Sequence, residues 1–439
     1  MHLIRALRDA LAVLLVASPA LAPFAFAQPD LRGHGGPVRA LAITPDGTRA
    51  ISGSFDTSAI IWGLERGRAL AILRAHNGSV NAVLALPGDR FATGGEDGHI
   101  ALWKADDDKP LRVTKAHEAP VAALAASADG KLIASAGWDG EARIEDAGTG
   151  AEIRRLKGHK DNVNAVAFLS DGALATAGYD ATVRIWPANG ADPRIVEFDT
   201  PLNTLVALSG NRLAAGGADG TVRIVGSDGA HAGRVEATRT PVIALAISPD
   251  GRTLVAASPR GAVALIDVAR MSVRQTLTGP GLPIWSMAFA PDGKTLLTGG
   301  GDRLVRRWNP ETGEHIGAVL AERPVDDFAA LPQAARDNAR GVEVFRACAV
   351  CHTLRPDDEN RAGPTLFGIY GRKAGTAPGY NYSQAFRELD LVWTPQTVSR
   401  LFEIGPQTYT PGTKMPEQTV NAEEDRAALI AFLKAATTP

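Results

Sequence analysis

Between residues 31 and 317 apolar and polar positions alternate in short runs rich in Val, Ile, Leu and Ala. Turn punctuation cuts these runs, as at Pro45-Asp46-Gly47, Pro249-Asp250-Gly251 and Pro291-Asp292-Gly293. Alternation bounded by such turns predicts short strands, because successive strand side chains point to opposite faces. An apolar residue opens one such strand at Val38, Val80, Val121, Val163, Leu202, Val242 and Ile284. The spacings are 42, 41, 42, 39, 40 and 42. Beyond residue 338 the period changes to a helical one. Glu423-Glu424-Asp425 places negative charge at the positive end of a helix dipole, and Ala428, Leu429, Phe432 and Leu433 then share one face. Thr394-Pro395 reads as an N-cap and first-turn proline ahead of Val398, Leu401 and Phe402.

The repeat length suits a four-stranded propeller blade. The predicted fold class is therefore an all-β seven-bladed propeller over residues 28–317, followed by an all-α domain over residues 338–439. Between them, residues 318–337 read as a linker containing Pro324, Asp326, Asp327 and Pro332, with Ala318-Val319-Leu320 available to finish the last strand.

The repeats resemble the WD-repeat family. His34, His76, His117 and His159 fall at the family's Gly-His position, and Asp56, Asp97, Asp139, Asp180, Asp219 and Asp302 at its tight turn. Trp62, Trp103, Trp186 and Trp308 close the third strand. The resemblance implies a buried network of His, Asp, strand hydroxyl and Trp, as in His76, Thr93, Asp97 and Trp103, or His159, Thr176, Asp180 and Trp186. The third repeat carries Glu145 at the Trp position. The sixth carries Arg260 for Asp and Ile266 for Trp, so these two blades are expected to be looser. The regular placement of the histidines assigns them to structure rather than to catalysis or metal binding. Gly94-Gly95 and Gly299-Gly300-Gly301 fit tight strand corners and match no phosphate-loop pattern. The propeller reads as a binding platform.

Composition adds two constraints. The 439 residues are 45% hydrophobic, enough for a sizeable core, and the formal net charge of -2 argues against a nucleic-acid partner. Residues 1–27 read as a signal peptide. Arg5 and Arg8 precede an apolar run over residues 10–17, and Ala25-Phe26-Ala27 fits a cleavage site that leaves Gln28 first. An uncleaved anchor is the competing reading, and Pro19 and Pro23 would disrupt its helix. No later segment has the length and apolarity to cross a bilayer, so the mature protein is expected to be periplasmic or otherwise exported, with no transmembrane anchor.

The only two cysteines lie in Cys348-Ala349-Val350-Cys351-His352, the attachment pattern of a covalent c-type haem. Two intervening residues let both thiols reach one porphyrin edge, and the adjacent His352 supplies an imidazole to the iron. A zinc site needs about four ligands, and a thioredoxin-like disulfide needs a βαβ setting; the surrounding sequence supplies neither. The second axial ligand follows by elimination. His352 is the only histidine after His315, and Met415 the only methionine after Met287. Met415 lies in the polar, Pro/Gly-bounded loop Pro411-Gly412-Thr413-Lys414-Met415-Pro416.

Residues 338–438 resemble a class I, mitochondrial-type cytochrome c. Gly341 and Phe345 match the first-helix positions that pack on the last helix. Gly363-Pro364-Thr365-Leu366 resembles the loop in which a proline carbonyl, here Pro364, accepts the haem histidine's outer N–H. The segment Gly371-Arg372-Lys373-Ala374-Gly375-Thr376-Ala377-Pro378-Gly379-Tyr380-Asn381-Tyr382 is similar to the family's haem-edge loop. The resemblance implies that Arg372, Tyr382 and Trp393 serve the haem propionates. Phe402 stands where the family has a tyrosine near the methionine sulfur. Only Lys373, Lys414 and Lys434 follow residue 330, so the family's lysine-rich docking face is absent.

The expected function is that of an exported electron carrier with one covalent haem c, whose propeller recognises an unidentified redox partner protein. Two alternatives stand beside it: a periplasmic oxidoreductase with a second cofactor or substrate site in the propeller, and a haem-based redox sensor or scaffold.

Overall fold

The computed structural model describes residues 30–278, 281–317, 328, 331–349, 351–356, 363–378, 380, 382, 384–411, 413, 415 and 418–437. The expected signal peptide at 1–27, residues 318–327 of the expected linker, and Lys414 lie outside the described residues.

Seven antiparallel four-stranded sheets form a ring of blades. Six take their strands in chain order from residues 38–73, 80–115, 121–157, 163–197, 202–236 and 244–278. The seventh combines three strands from residues 284–308 with Leu31–Arg32, where Leu31 pairs with Val305 and Arg32 with Leu304. The fourth place in this blade thus belongs to the start of the array; residues 318–320 lie outside the described residues. Asp30 reinforces the closure through His315 Nε2 at 2.7 Å and Arg306 Nη1 at 3.4 Å.

The seven repeat-opening residues have a packing role, although Val242 lies two residues ahead of its strand, which begins at Ala244. Val38, Val121, Val163, Leu202 and Val242 are fully buried, and Val80 and Ile284 nearly so. Six of them are followed by a one-residue bulge in the innermost strand. Several press against a glycine of the preceding blade. A Cβ at Gly53 would lie 2.7 Å from Val80 Cγ1, at Gly94 2.6 Å from Val121, at Gly216 2.6 Å from Val242 and at Gly299 2.5 Å from Val38. The blades therefore interlock valine into glycine, and the Gly299–Val38 contact closes the ring.

Four blades carry the His–Asp network. His34 Nδ1 lies 3.0 Å from Asp56, and its Nε2 2.7 Å from Ser52 Oγ, which accepts from Trp62 Nε1 at 2.7 Å. His76 joins Asp97, Thr93 and Trp103 in the same way, and His159 joins Asp180, Thr176 and Trp186. Proton counting fixes the directions. The indole donates to the hydroxyl oxygen, the hydroxyl donates to Nε2, and Nδ1–H donates to the carboxylate. All four imidazoles are at most 1% exposed, which suits a structural role. The third blade keeps His117, Asp139 and Ser135, and buried Glu145 accepts from Arg112 at 3.0 Å. Ile266 is fully buried, and the third and sixth blades are complete four-stranded sheets.

The helical part contains α1 (Gln333–Arg336), α2 (Ala339–Ala349), α3 (Gln384–Arg387), α4 (Pro395–Ile404), α5 (Pro406–Tyr409) and α6 (Glu423–Thr437). α2 crosses α6 at Gly341, where a Cβ would sit 2.5 Å from Ala428 O and 2.6 Å from Phe432 Cβ. Phe345 and Phe432 pack with ring centroids 5.1 Å apart, and both are buried. Asn338 Nδ2 donates to Ala428 O at 2.8 Å, and Arg340 pairs with Asp425 in the acidic first turn of α6. α4 begins at Thr394, which forms a reciprocal capping box with Thr397, and Pro395 takes its first turn. Among the described residues no helix is long and apolar enough to cross a membrane.

Candidate haem-binding site

The end of α2 folds into a tight turn, in which His352 N and Cys351 N both donate to Cys348 O, at 2.9 and 3.1 Å. This turn points Cys348, Cys351 and His352 at one cavity of about 330 Å³ between α2, α4, α6 and the connecting loops. Met415 lines the same cavity, brought there by the turn after α5: Thr410 Oγ1 donates to Pro406 O, and Met415 N to Thr413 Oγ1. The four residues are 67 positions apart at most, yet share one apolar chamber with Phe345, Leu401, Phe402 and Leu433.

Geometry orients the imidazole. His352 Nδ1 lies 2.8 Å from Pro364 O, and a carbonyl only accepts, so Nδ1 carries the proton and Nε2 is the nitrogen with the lone pair. Gly363 forms a cradle beneath the ring, for a Cβ there would fall 2.5 Å from His352 Cε1 and 2.7 Å from Nδ1. Gly363 N in turn donates to Cys351 O at 2.7 Å, tying the loop to the cysteine turn. Burial pushes the Cys348 thiol up to about 12. In this closed fold it is a poor nucleophile, since the thiolate is the reactive form.

The remaining sequence-predicted residues gather on another wall. A short ladder, Gly371 N to Trp393 O and Trp393 N to Arg372 O, sets Arg372 beside Trp393. Arg372 donates to Thr365 O at 2.7 Å and Phe367 O at 3.1 Å, so it braces the loop that carries Pro364. Burial lowers its pKa, and Tyr382 opposes the shift. Tyr382 stacks on Phe386 at 5.4 Å and Phe386 on Trp393 at 6.4 Å; burial raises the Tyr382 pKa. Arg372, Tyr382, Phe386 and Trp393 line the cavity. Lys373 faces Asp390 at 3.6 Å.

Sequence reasoning missed one wall altogether. Gly35, Asp56 and Arg74, all from the first blade, also line the cavity. Cys351 Sγ lies 3.5 Å from Gly33 O, and Cys351 and Tyr380 pack against the apolar cluster of Leu31 and Trp62. Nothing local to Arg74 in the sequence marks it, because the residues of the helical part that it faces, Cys351 and Tyr380, are more than 270 residues away along the chain.

A ring of repeats joined to a small helical unit with a Cys-x-x-Cys-His cavity defines a propeller fused to a covalent haem domain. Comparison with known families agrees. The WD domain, G-beta repeat profile matches residues 28–63, 67–104, 108–144, 150–187 and 271–309, and the Cytochrome c profile residues 338–437. Cytochrome c2 of Blastochloris viridis is 41% identical over 103 residues, 24% of this chain and 80% of that protein. Cytochrome c of Theileria annulata is 41% identical over 103 residues, 23% of this chain and 88% of that protein. Cytochrome c of Gibberella zeae is 39% identical over 102 residues, 23% of this chain and 95% of that protein. Through its C-terminal part the chain belongs to the cytochrome c family. A covalently bound haem c and a role in electron transfer follow from that membership.

Proposed function

We propose that this protein is an exported electron carrier with one haem, which Cys348 and Cys351 would attach and His352 and Met415 would ligate. The observation that carries this reading is the convergence of these four side chains on one apolar cavity with His352 Nδ1 committed to Pro364. The residues fit the group. The cradle at Gly363 admits the imidazole edge, the lining is largely apolar, and Met415 offers a thioether to the same chamber. When bound, haem supplies a one-electron iron couple. The protein holds the His352 tautomer, lines the cavity with Phe345, Leu401, Phe402 and Leu433, and would supply both an imidazole and a thioether to the iron from its own chain. An imidazole and thioether ligand pair would raise the potential relative to two imidazoles. Arg372, Tyr382 and Trp393 are placed in this reading to receive the propionates.

The propeller is the partner-docking platform in this proposal. Phe55, Trp138 and Tyr179 each precede the turn aspartate of their blade and are 40–44% exposed. Equivalent positions of a ring lie on one face, and Asp56 of that same turn lines the haem cavity. Aromatic side chains exposed together favour protein contact. A redox partner held there stays near the haem without a lysine-rich haem face.

Two measurements test the reading. The pigment of the mature protein should stay with the polypeptide in acid acetone; pigment extracted freely would refute covalent attachment. Trp138→Ala with Tyr179→Ala should slow electron exchange with the native partner about tenfold or more, as a hot-spot loss near 1.4 kcal/mol implies, and leave the midpoint potential unchanged. An unchanged rate would refute the platform.

A further inference from the structure

The first blade brings a charge to the haem cavity. Arg74 follows the outer strand Arg68–Leu73 and lines the cavity beside Asp56 and Gly35. Its Nη1 reaches Asp56 O only at 3.5 Å, and its Nε is enclosed without a hydrogen-bond partner. The nearby Asp56 carboxylate is already engaged by His34, by Gly35 N at 2.7 Å and by Ser58 at 2.5 Å. An enclosed guanidinium with so few partners is costly unless an anionic or electron-rich group meets it. It lies on the side of the cavity formed by Cys351 and Tyr380, where the helical part packs on the first blade.

We propose that Arg74 is a haem-site residue supplied by the propeller, a cation that raises the reduction potential of the haem from the Cys351 side. This rests on the haem reading above. The sign follows from charge. Reduction adds one electron, so a fixed positive charge nearby stabilises the reduced form more than the oxidised one. An enclosed site weakens that interaction less than water does. The propeller thereby sets the electron affinity of the haem as well as offering a docking face.

Redox titration of the full-length holoprotein tests this. Arg74→Gln should lower the reduced-to-oxidised ratio at a fixed electrode potential about tenfold, which is 59 mV for a one-electron couple. Arg74→Lys should restore most of it. Arg66→Gln, an exposed arginine of the same blade, should leave the potential at the wild-type value. The Arg74→Gln shift should persist at high salt, where exposed charges are screened. Equal potentials in wild type and Arg74→Gln, or an equal fall in Arg66→Gln, would overturn the proposal. Should Arg74→Gln fail to fold, Gly35 serves instead, since a Cβ there meets nothing nearer than 3.7 Å. Gly35→Asp should lower the potential and Gly35→Ala should not; an unmoved Gly35→Asp potential overturns the proposal equally. Wild-type protein without covalent haem would sink the haem reading itself. Covalent haem with unmoved potentials sinks only the role of Arg74.

Discussion

At the scale of single residues, the haem cavity depends on one missing methyl group. Gly363 lies so close to the His352 ring that an alanine there must push the imidazole away from Pro364. Gly363→Ala is expected to destabilise the holoprotein by about 1–3 kcal/mol, the usual cost of overpacking, and to lower the thermal midpoint of the haem absorbance. The propeller, followed by tryptophan fluorescence, should be unaffected. Cys348 carries a related constraint. Burial pushes its thiol up to about 12, which disfavours the reactive thiolate in the closed fold. These roles differ in how visible they are from sequence. That Cys348, Cys351, His352 and Met415 would meet in one cavity was legible, because the first three follow a fixed spacing and Met415 is the only later methionine. The clash at Gly363 was not, since glycine advertises no partner.

At the scale of elements, the repeat was legible because one apolar knob must recur wherever a blade meets its neighbour. Val121 entering the space above Gly94 is the pattern made physical. Gly94→Ala brings a Cβ to 2.6 Å from Val121 Cγ1 and is expected to cost about 1–3 kcal/mol in urea unfolding of the propeller. The same change at Gly88, a turn glycine with open space around its Cβ, should be limited to the strain of its positive φ. The helices were read from caps and periodicity, and Thr394 and Pro395 stand where that reading put them. The closing strand Leu31–Arg32 was missed. Two residues carry no period, and their partners Leu304 and Val305 are remote in sequence.

At the scale of the whole molecule, buried carboxylates tie stability to pH. In Asp56, Asp97 and Asp139 burial alone would raise the pKa, but the paired histidines and backbone N–H groups hold each carboxyl well below its usual range, Asp139 to about 2. The Arg223 guanidinium holds Asp219 at about 2. A depressed folded-state pKa means stability that is complete above the ordinary carboxylate value and is lost as pH falls through the folded one. The propeller is therefore expected to lose stability steeply between about pH 4 and pH 2, seen as a falling urea midpoint. Glu145 opposes this weakly. Burial raises its pKa, so its contribution is present at acid pH and fades as pH rises. Asp139→Asn should flatten the acid limb. The association of the two parts of the chain was invisible to sequence reasoning, because contacts such as Gly33 with Cys351 join segments 318 positions apart and follow no local rule. That contact has a mechanical corollary. Residues 31 and 32 latch the ring, and the very next residue touches Cys351 on the cavity wall. The latch has only two paired residues, the shortest seam in the ring. Loosening that latch is therefore expected to disturb the Gly33–Cys351 contact as well, so strain at the closing strand would be felt at the cavity wall.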